Sequence, residues 1–324
     1  MSGMEWPDLI PALSAQLARP YGIAFDRVRT LKISESATFL AGDGSQRVVV
    51  RVYRADRHSA STIHSELAWI EALHHDGFPT PAVIRTKAGE LTTRIDCPDG
   101  VQRICALFEF VAEDDHVPDL RQTFHAIGAA CGRLQNHGES WRSREEIERG
   151  DWDLEATMAE STPWGGWTAL PLSAHDRRTL EDARDHITRT LPPFARDTAV
   201  LAHADLKPVN SIWAGDRLMV IDFDDCGFGW YMYDFGTAVS FFEDDPAVPS
   251  WQDAWTAGFR TRRELPASDE QMLPSFVLLR RLLLLAWMGS HSHSRESRAM
   301  SVTYSAGSCA LAETYLSSNG RRLF

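Results

Sequence analysis

Cysteine is scarce and scattered: Cys97, Cys105, Cys131, Cys226 and Cys309 number five, and none stands in a C-x-x-C pair. An odd set of that kind excludes a disulfide framework and a zinc knuckle, and predicts reduced, buried thiols in a cytoplasmic protein. Positive charge is also short. Lys and Arg total 33 against 45 Asp and Glu, a formal net charge of −12, and no basic stripe interrupts that excess. An acidic body repels a phosphate backbone, so no nucleic-acid partner is expected. Long apolar runs are missing too. The greasiest stretch, Phe276 to Met288, reads FVLLRRLLLLAWM, 13 residues interrupted by Arg280 and Arg281, whereas a bilayer span requires about 20. A buried core helix is expected there, and no membrane partner. The opening MSGMEWPDLIPALSAQ carries Glu5 and Asp8 where a secretory leader is unbrokenly apolar. The pairs His74-His75 and His291-Ser292-His293 have no companions at zinc spacing. Neither a G-x-S-x-G elbow nor a glycine-rich dinucleotide fingerprint occurs, which removes support for hydrolase and dehydrogenase chemistry.

What remains is an ordinary globular composition, 44% apolar and 24% charged over 324 residues, enough for two domains or one two-lobed domain. From about Asp26 to Phe110 short β-type runs dominate: RVRTLKI, SATFLAG, RVVVRVY, PAVIRT and RICALFEF, separated by turn signals at Gly42-Asp43-Gly44 and Asp99-Gly100. One helix interrupts them, with Ile63, Leu67, Ile70 and Leu73 at helical spacing. Beyond Val111 the segments from Phe124, Ser173, Ser250, Met272 and Ser297 read as helices, and only Val200 to Asp225 returns to strands. The expectation is an α+β fold of two lobes: residues 1–111 with a five-stranded antiparallel sheet and an N-terminal helix, and residues 112–324, mostly helical. The stretch Ser140 to Trp167 is the least patterned, an insertion over the cleft or a charged helix followed by a loop.

Residues 201–225 read LAHADLKPVNSIWAGDRLMVIDFDD and hold His203, Asp205, Asn210 and Asp222 in a strand, loop, strand setting. Asp and Asn favour turns, and Asp205 with Asn210 would make one unaided. Four polar residues in this order beside an apolar hairpin carry more than turn chemistry. Phosphoryl transfer needs a base at the attacking hydroxyl and oxygen ligands that hold a divalent metal on the phosphates. An Asp, an Asn five positions later and an Asp ending a hydrophobic strand supply both. Asp224 and Asp225 either add a metal ligand or form an exposed acidic loop.

In these motifs the sequence resembles the aminoglycoside phosphotransferase and choline kinase family, small-molecule kinases of protein-kinase-like fold, over roughly residues 25 to 290. The resemblance implies that Asp205 is the catalytic base, that Asn210 and Asp222 bind Mg²⁺, and that His203 braces the loop. It also implies ATP between the lobes. Asp234 in YMYDFGTA matches the family's buried aspartate that holds the catalytic loop through backbone amides; a helix N-cap is the other reading. Arg51, a cation inside the run VVVRVY, needs a partner, and Glu66 on the following helix is the natural one. The family usually has lysine at that place; arginine keeps the charge and binds phosphate in a different geometry, and a salt bridge on a sheet surface is the other reading. The run Ser34-Glu35-Ser36-Ala37-Thr38 lies where the family has its nucleotide-covering loop, without the glycines, and an ordinary hairpin is the alternative. The strand ending Glu109-Phe110-Val111 resembles the hinge whose backbone meets the purine. Lys207 either steadies the transferring phosphoryl group or is a solvent-facing loop lysine.

The acceptor is the open question. Twelve positions separate Asp222 from Asp234, too few for the long activation segment of protein kinases, which favours a small-molecule hydroxyl. Acidic and aromatic residues after Asp222, among them Trp230, Tyr231, Tyr233, Glu243, Asp244, Trp251 and Trp255, suit an amine-bearing acceptor, or form core and a solvated helix end. A protein Ser/Thr kinase of the same fold and a degenerate nucleotide-binding regulator are the alternatives.

Overall fold

The computed structural model describes residues 6, 8–43, 46–114, 118–141, 147–159, 162, 166, 170–290 and 295–324, with side chains from 301 onward in the last range. The chain divides into two compact units: Met1–Asp115 with Glu145–Arg149 and Ile212–Asp224, and His116–Arg144 with Gly150–Ser211 and Asp225–Phe324.

In the first unit, helices α1 (Ile10–Gln16) and α2 (Ala18–Tyr21) precede strands β1 (Arg27–Ile33), β2 (Ser36–Gly42) and β3 (Arg47–Tyr53), helix α3 (Ala60–His75), and strands β4 (Val83–Ile84), β5 (Thr93–Asp96) and β6 (Gln102–Glu109). They form an antiparallel sheet in the order β1-β2-β3-β6-β4, with β5 also on β6. Strand period decides which side chains face which layer. Val48, Val50 and Val52 enter a core with Leu9, Leu13, Leu17, Phe39 and Leu107, each such burial contributing about 1.5–3 kcal/mol. Arg51 and Tyr53 are thereby turned to the opposite face, where both meet Glu66 of α3 at 3.3 Å. Ser59 caps α3 by accepting from Thr62 N at 3.0 Å, which sets where the helix begins.

One expectation is corrected here, and the run 34–38 takes the hairpin form that was its alternative reading. The sheet has six strands, not five. Strand β5 buries fully only Ile95, too short an alternation to register in sequence; its hairpin with β6 across the Asp99-Gly100 turn defines it. The run 34–38 is mostly strand: Ser34 and Glu35 alone connect β1 to β2, with Ser34 N donating to Ser36 O at 3.0 Å.

The second unit begins with α4 (Leu120–Ser140), β7 (Asp151–Trp152), α5 (Leu154–Met158), α6 (Ala174–Thr190) and β8 (Val200–Ala202). The hairpin of β9 (Ser211–Ala214) and β10 (Arg217–Val220) takes the chain into the first unit. Strand β11 (Gly227–Gly229) and helices α7 (Tyr233–Ala238), α8 (Val248–Arg260), α9 (Ala267–Glu270), α10 (Leu273–Ser290) and α11 (Arg295–Ser317) complete the second. A three-stranded sheet, β7-β11-β8, sits among these helices. The stretch Ala267–Ser290, α9 with α10, is long and apolar enough to cross a membrane but is mostly buried inside the protein, and that burial is what the interrupted apolar run predicted. Of the segment 140–167, residues 142–146, 160–161, 163–165 and 167 lie outside the described residues, as do Gly44 and His291 to His293. Within it Ile147, Arg149 and Trp152 are buried.

Helices α4 and α8 approach closely through two glycines. A Cβ on Gly258 would stand 1.9 Å from His125 O, and one on Gly128 would stand 2.1 Å from Trp255 O. Both obstacles are backbone atoms that cannot rotate aside. Gly258→Ala is expected to lower the unfolding free energy by about 2–3 kcal/mol, read as an earlier midpoint in a thermal melt. Gly150→Ala, with nothing within 4 Å of the added carbon, is the near-neutral control.

Candidate active site

In the second unit, β8 delivers the loop from His203 to Asn210. His203 is fully buried, and its Nδ1 accepts from Asp205 N at 3.3 Å. Ala204 has φ +61°, a left-handed conformation that is costly for a residue with a Cβ. Asp234 holds it there: Oδ1 accepts from Ala204 N at 3.1 Å and Oδ2 from Gln135 Nε2 at 2.9 Å. The sequence left two roles for Asp234, and the loop-holding one is observed; the N-cap of α7 is Met232, with no side-chain cap. A 3-10 turn over Pro208–Asn210 then brings Asn210 back onto Asp205.

The Asp205 carboxylate is surrounded by donors. Lys207 Nζ lies 2.7 Å from Oδ1 and 2.8 Å from Oδ2, Asn210 Nδ2 lies 2.7 Å from Oδ2, and Arg280 Nη2 of α10 lies 2.6 Å from Oδ1. Arg280 also reaches Tyr233 OH at 3.4 Å. Burial works against the charge on Arg280, but Tyr233, Asp205 and Asp225 hold its affinity for the proton above the ordinary arginine value. Lys207 additionally sits 5.8 Å from the ring of Phe241, a bulky residue at φ +70°.

The first unit gathers a second set. Arg51 Nη1 lies 3.3 Å from Glu66 Oε1, and its Nη2 donates to Asp222 Oδ1. Asp222 follows β10 at φ +67° and also faces Lys32 at 3.7 Å. On the far side of Glu66, Arg149 Nη1 approaches Oε2 at 4.0 Å while its Nη2 donates to Asp224 O. Burial raises the Glu66 carboxyl above the ordinary range, against the pull of Arg51 and Arg149. Burial works against the charge on Arg51, but Asp222 first, then Asp224, Tyr53 and Glu66, hold its affinity for the proton above the ordinary arginine value. Burial together with Arg149, Arg57 and Arg51 pushes the neighbouring His58 down to about 3, so this imidazole is neutral.

The expected residues therefore fall into two local groups: His203, Asp205, Lys207 and Asn210 in one unit, and Arg51, Glu66, Asp222 and Asp224 in the other. Ser36 is 8% exposed inside β2, its backbone opposite Tyr53. Glu109 ends β6 and donates its N–H to Ala82 O at 3.0 Å; Val111 follows half-buried. Four contributors were missed in sequence: Arg280, Arg149, Lys32 and Gln135. Only Arg280 left a signal there, a charge breaking an apolar run. Of the two readings of the acid and aromatic group, the core is the one seen, with an ion pair where a solvated helix end was expected. Arg281 binds Glu243 at 2.8 Å and Asp244 at 2.9 Å, and Trp230, Tyr233, Trp251 and Trp255 are buried. Tyr231 donates to Asp269. Packing consumes such side chains wherever burial is available.

Burial lifts the Asp234 carboxyl from 3.8 to about 6, against the hydrogen bonds from Gln135 and Ala204. Folding thus favours the protonated form. Its contribution to stability is fully present below the unfolded value and disappears as pH rises through the folded one, a change on the order of 3 kcal/mol. Unfolding free energies of Asp234→Asn are expected to decline less steeply than those of the parent between about pH 4 and 7; parallel curves in denaturant titrations would contradict this.

The model of the phosphotransferase enzyme family matches residues 28–267. Amicoumacin kinase of Bacillus subtilis (strain 168) is 21% identical over 284 residues, 83% of this chain and 82% of that protein. Among solved structures, a microcompartment-associated aminopropanol kinase aligns with a TM-score of 0.87 at 44% identity, over 96% of this chain and 99% of that one. The amicoumacin kinase hAmiN, solved with AMP-PNP, Ca²⁺ and Ami, aligns with 0.73 at 18% identity over 91% of each chain, a likeness of fold alone. The α+β, protein-kinase-like fold expected from the sequence is the one these kinases have. With the family model spanning well over half of its length and a relative 44% identical across nearly all of it, the chain belongs to the phosphotransferase enzyme family and is a small-molecule kinase of that family.

Proposed function

We propose that the chain transfers the γ-phosphoryl group of ATP, with Mg²⁺, to the hydroxyl of a small amine-bearing acceptor of the amino-alcohol class. The observation that carries this reading is the Asp205 carboxylate, held by Asn210 and Arg280 and partnered by a lysine that can leave it. Asp205 accepts the hydroxyl proton as the acceptor oxygen bonds to the γ-phosphorus. The bond from that phosphorus to the bridging oxygen breaks, and ADP departs with its electron pair. Four donor contacts saturate Asp205, so one must yield to the incoming hydroxyl. Asn210 and Arg280 are buried at 3% and 4% exposure; Lys207 has the flexible stem and moves onto the transferring phosphoryl oxygens. His203 supports the loop by accepting from Asp205 N.

Arg51, braced by Glu66, grips the nucleotide phosphates. The turn into Ser36 and the backbone of Glu109 and Val111 serve as phosphate cover and purine hinge. Asn210, Asp222 and Asp224 present only oxygen ligands, a donor set that fits a hard divalent cation. Such an ion, when bound, neutralises phosphate charge and orients the phosphates. ATP with a divalent ion is supported by the complex of hAmiN with AMP-PNP and Ca²⁺, and the amino-alcohol acceptor by the aminopropanol kinase. Five free, buried cysteines are in keeping with work in a reducing cytoplasm. The test is ADP release with Mg²⁺ and ATP against short amino alcohols, choline, homoserine, aminoglycosides and a protein panel. Turnover with a short amino alcohol is expected; phosphate found on proteins alone, or on nothing, overturns the reading.

A further inference from the structure

Helix α10 carries two consecutive buried arginines among leucines. At about 100° per residue they point to different neighbours. Arg281 is consumed by structure: Glu243 and Asp244 at 2.8 and 2.9 Å, Ser308 Oγ at 2.9 Å, and the Tyr304 ring at 3.7 Å. Arg280, 4% exposed, has a different set. Its Nη2 takes Asp205 Oδ1 at 2.6 Å, its Nη1 reaches Tyr233 OH at 3.4 Å, and its Nε has no hydrogen-bond partner among the described residues. Tyr233 is itself fully buried and stacks on Trp152 with ring centroids 5.6 Å apart, so the guanidinium is held against a rigid wall. Desolvating a guanidinium is costly, and an apolar side chain would fill this helix position at less expense. Asp205 is the one carboxylate that Arg280 hydrogen-bonds among the described residues.

We propose that Arg280 is a positioning residue for phosphoryl transfer: it fixes the Asp205 carboxylate in one orientation and remains its counter-charge when Lys207 moves to the phosphoryl group. The idea rests on the reading of Asp205 as the base. With Lys207 gone, Arg280 keeps Oδ1 and Asn210 keeps Oδ2, and the carboxylate edge that Lys207 covered becomes open to the acceptor hydroxyl. Without Arg280 the carboxylate is held by Asn210 at Oδ2 alone and can turn about its Cβ–Cγ bond, and a displacement of about an ångström at a reacting group costs on the order of 10²-fold in rate.

Arg280→Met is expected to lower kcat by about 10- to 100-fold while KM for ATP and the calorimetric Kd for AMP-PNP stay within about twofold. Arg280→Lys, which restores charge without the fork to Tyr233, regains part of kcat. Arg281→Met is the structural control: its melting temperature falls and its kcat does not. A purely structural Arg280 would behave like Arg281, and that result overturns the proposal. Should Arg280→Met fail to fold, Arg280→Lys decides: a lowered kcat at unchanged melting temperature supports the proposal, and parental kcat overturns it. Asp205→Asn separates the two layers. Undiminished kcat in Asp205→Asn removes the base itself; a collapsed kcat there beside parental kcat in Arg280→Met removes only the positioning role. The double variant is expected to be no slower than Asp205→Asn alone, because residues acting as a unit are non-additive.

Discussion

Asp205→Asn is expected to lower kcat by about 10²- to 10⁴-fold, the range for removing a positioned general base, with little change in nucleotide affinity. Asparagine is nearly isosteric, and its amide oxygen still accepts from Arg280, so the loop keeps its shape while the proton acceptor is gone. Asp205→Ala differs in a second respect. Both variants remove the negative charge beside the Arg280 guanidinium, 4% exposed, but alanine also removes the acceptor of its hydrogen bond, and a buried donor left unpaired costs about 1–3 kcal/mol more. The alanine variant should therefore melt well below the asparagine variant although both are inactive. Steady-state ADP release and a thermal melt check the pair, and kcat within tenfold of the parent in either variant would eliminate Asp205 as the base.

The second large effect belongs to Asp222. Substitution to Asn is expected to reduce metal-dependent turnover by on the order of 10³-fold or more, since phosphate-charge stabilisation by a divalent ion is worth several kcal/mol. The choice of Asn is dictated by the backbone: Asp222 sits at φ +67°, where Asn is tolerated and Ala adds strain. Arg51 loses one partner and keeps Glu66 at 3.3 Å, so the chain should fold. Titration of Mn²⁺ into the AMP-PNP complex supplies the second readout, with weakened Mn²⁺ binding expected. Unimpaired turnover together with parental Mn²⁺ affinity would remove Asp222 as a metal ligand.

The parts of this molecule that could be read in sequence are those whose causes are local. The β-type run RVVVRVY gave β3 and marked Arg51 as a cation in need of a partner, and helical spacing gave α3 and, on it, Glu66. The segment from His203 to Asn210 folds onto itself, so Asp205, Lys207 and Asn210 meet across separations of two and five residues. Strand β5 escaped notice because Ile95 alone marks its buried face. Arg280 and Arg281 were visible as interruptions of an apolar run, but their partners lie 75 and 38 residues away, and no spacing rule relates such positions. The same holds for Gln135 and Asp234, 99 apart. The acidic and aromatic stretch after Asp222 misled for a related reason: composition shows which groups are near in the chain, and packing decides which of them are spent on one another.

From the sequence by itself came the α+β class, the kinase resemblance and the candidates Asp205, Asn210, Asp222 and Arg51, because motif spacing and strand or helix period are short-range properties of a chain. Only the tertiary structure decided that Arg51, expected to pair with Glu66, also bonds Asp222, that Arg281 neutralises Glu243 and Asp244, and that Arg280 stands behind Asp205. A buried charge is stable only beside an opposite one, and which opposite charge it finds depends on how distant helices and strands pack.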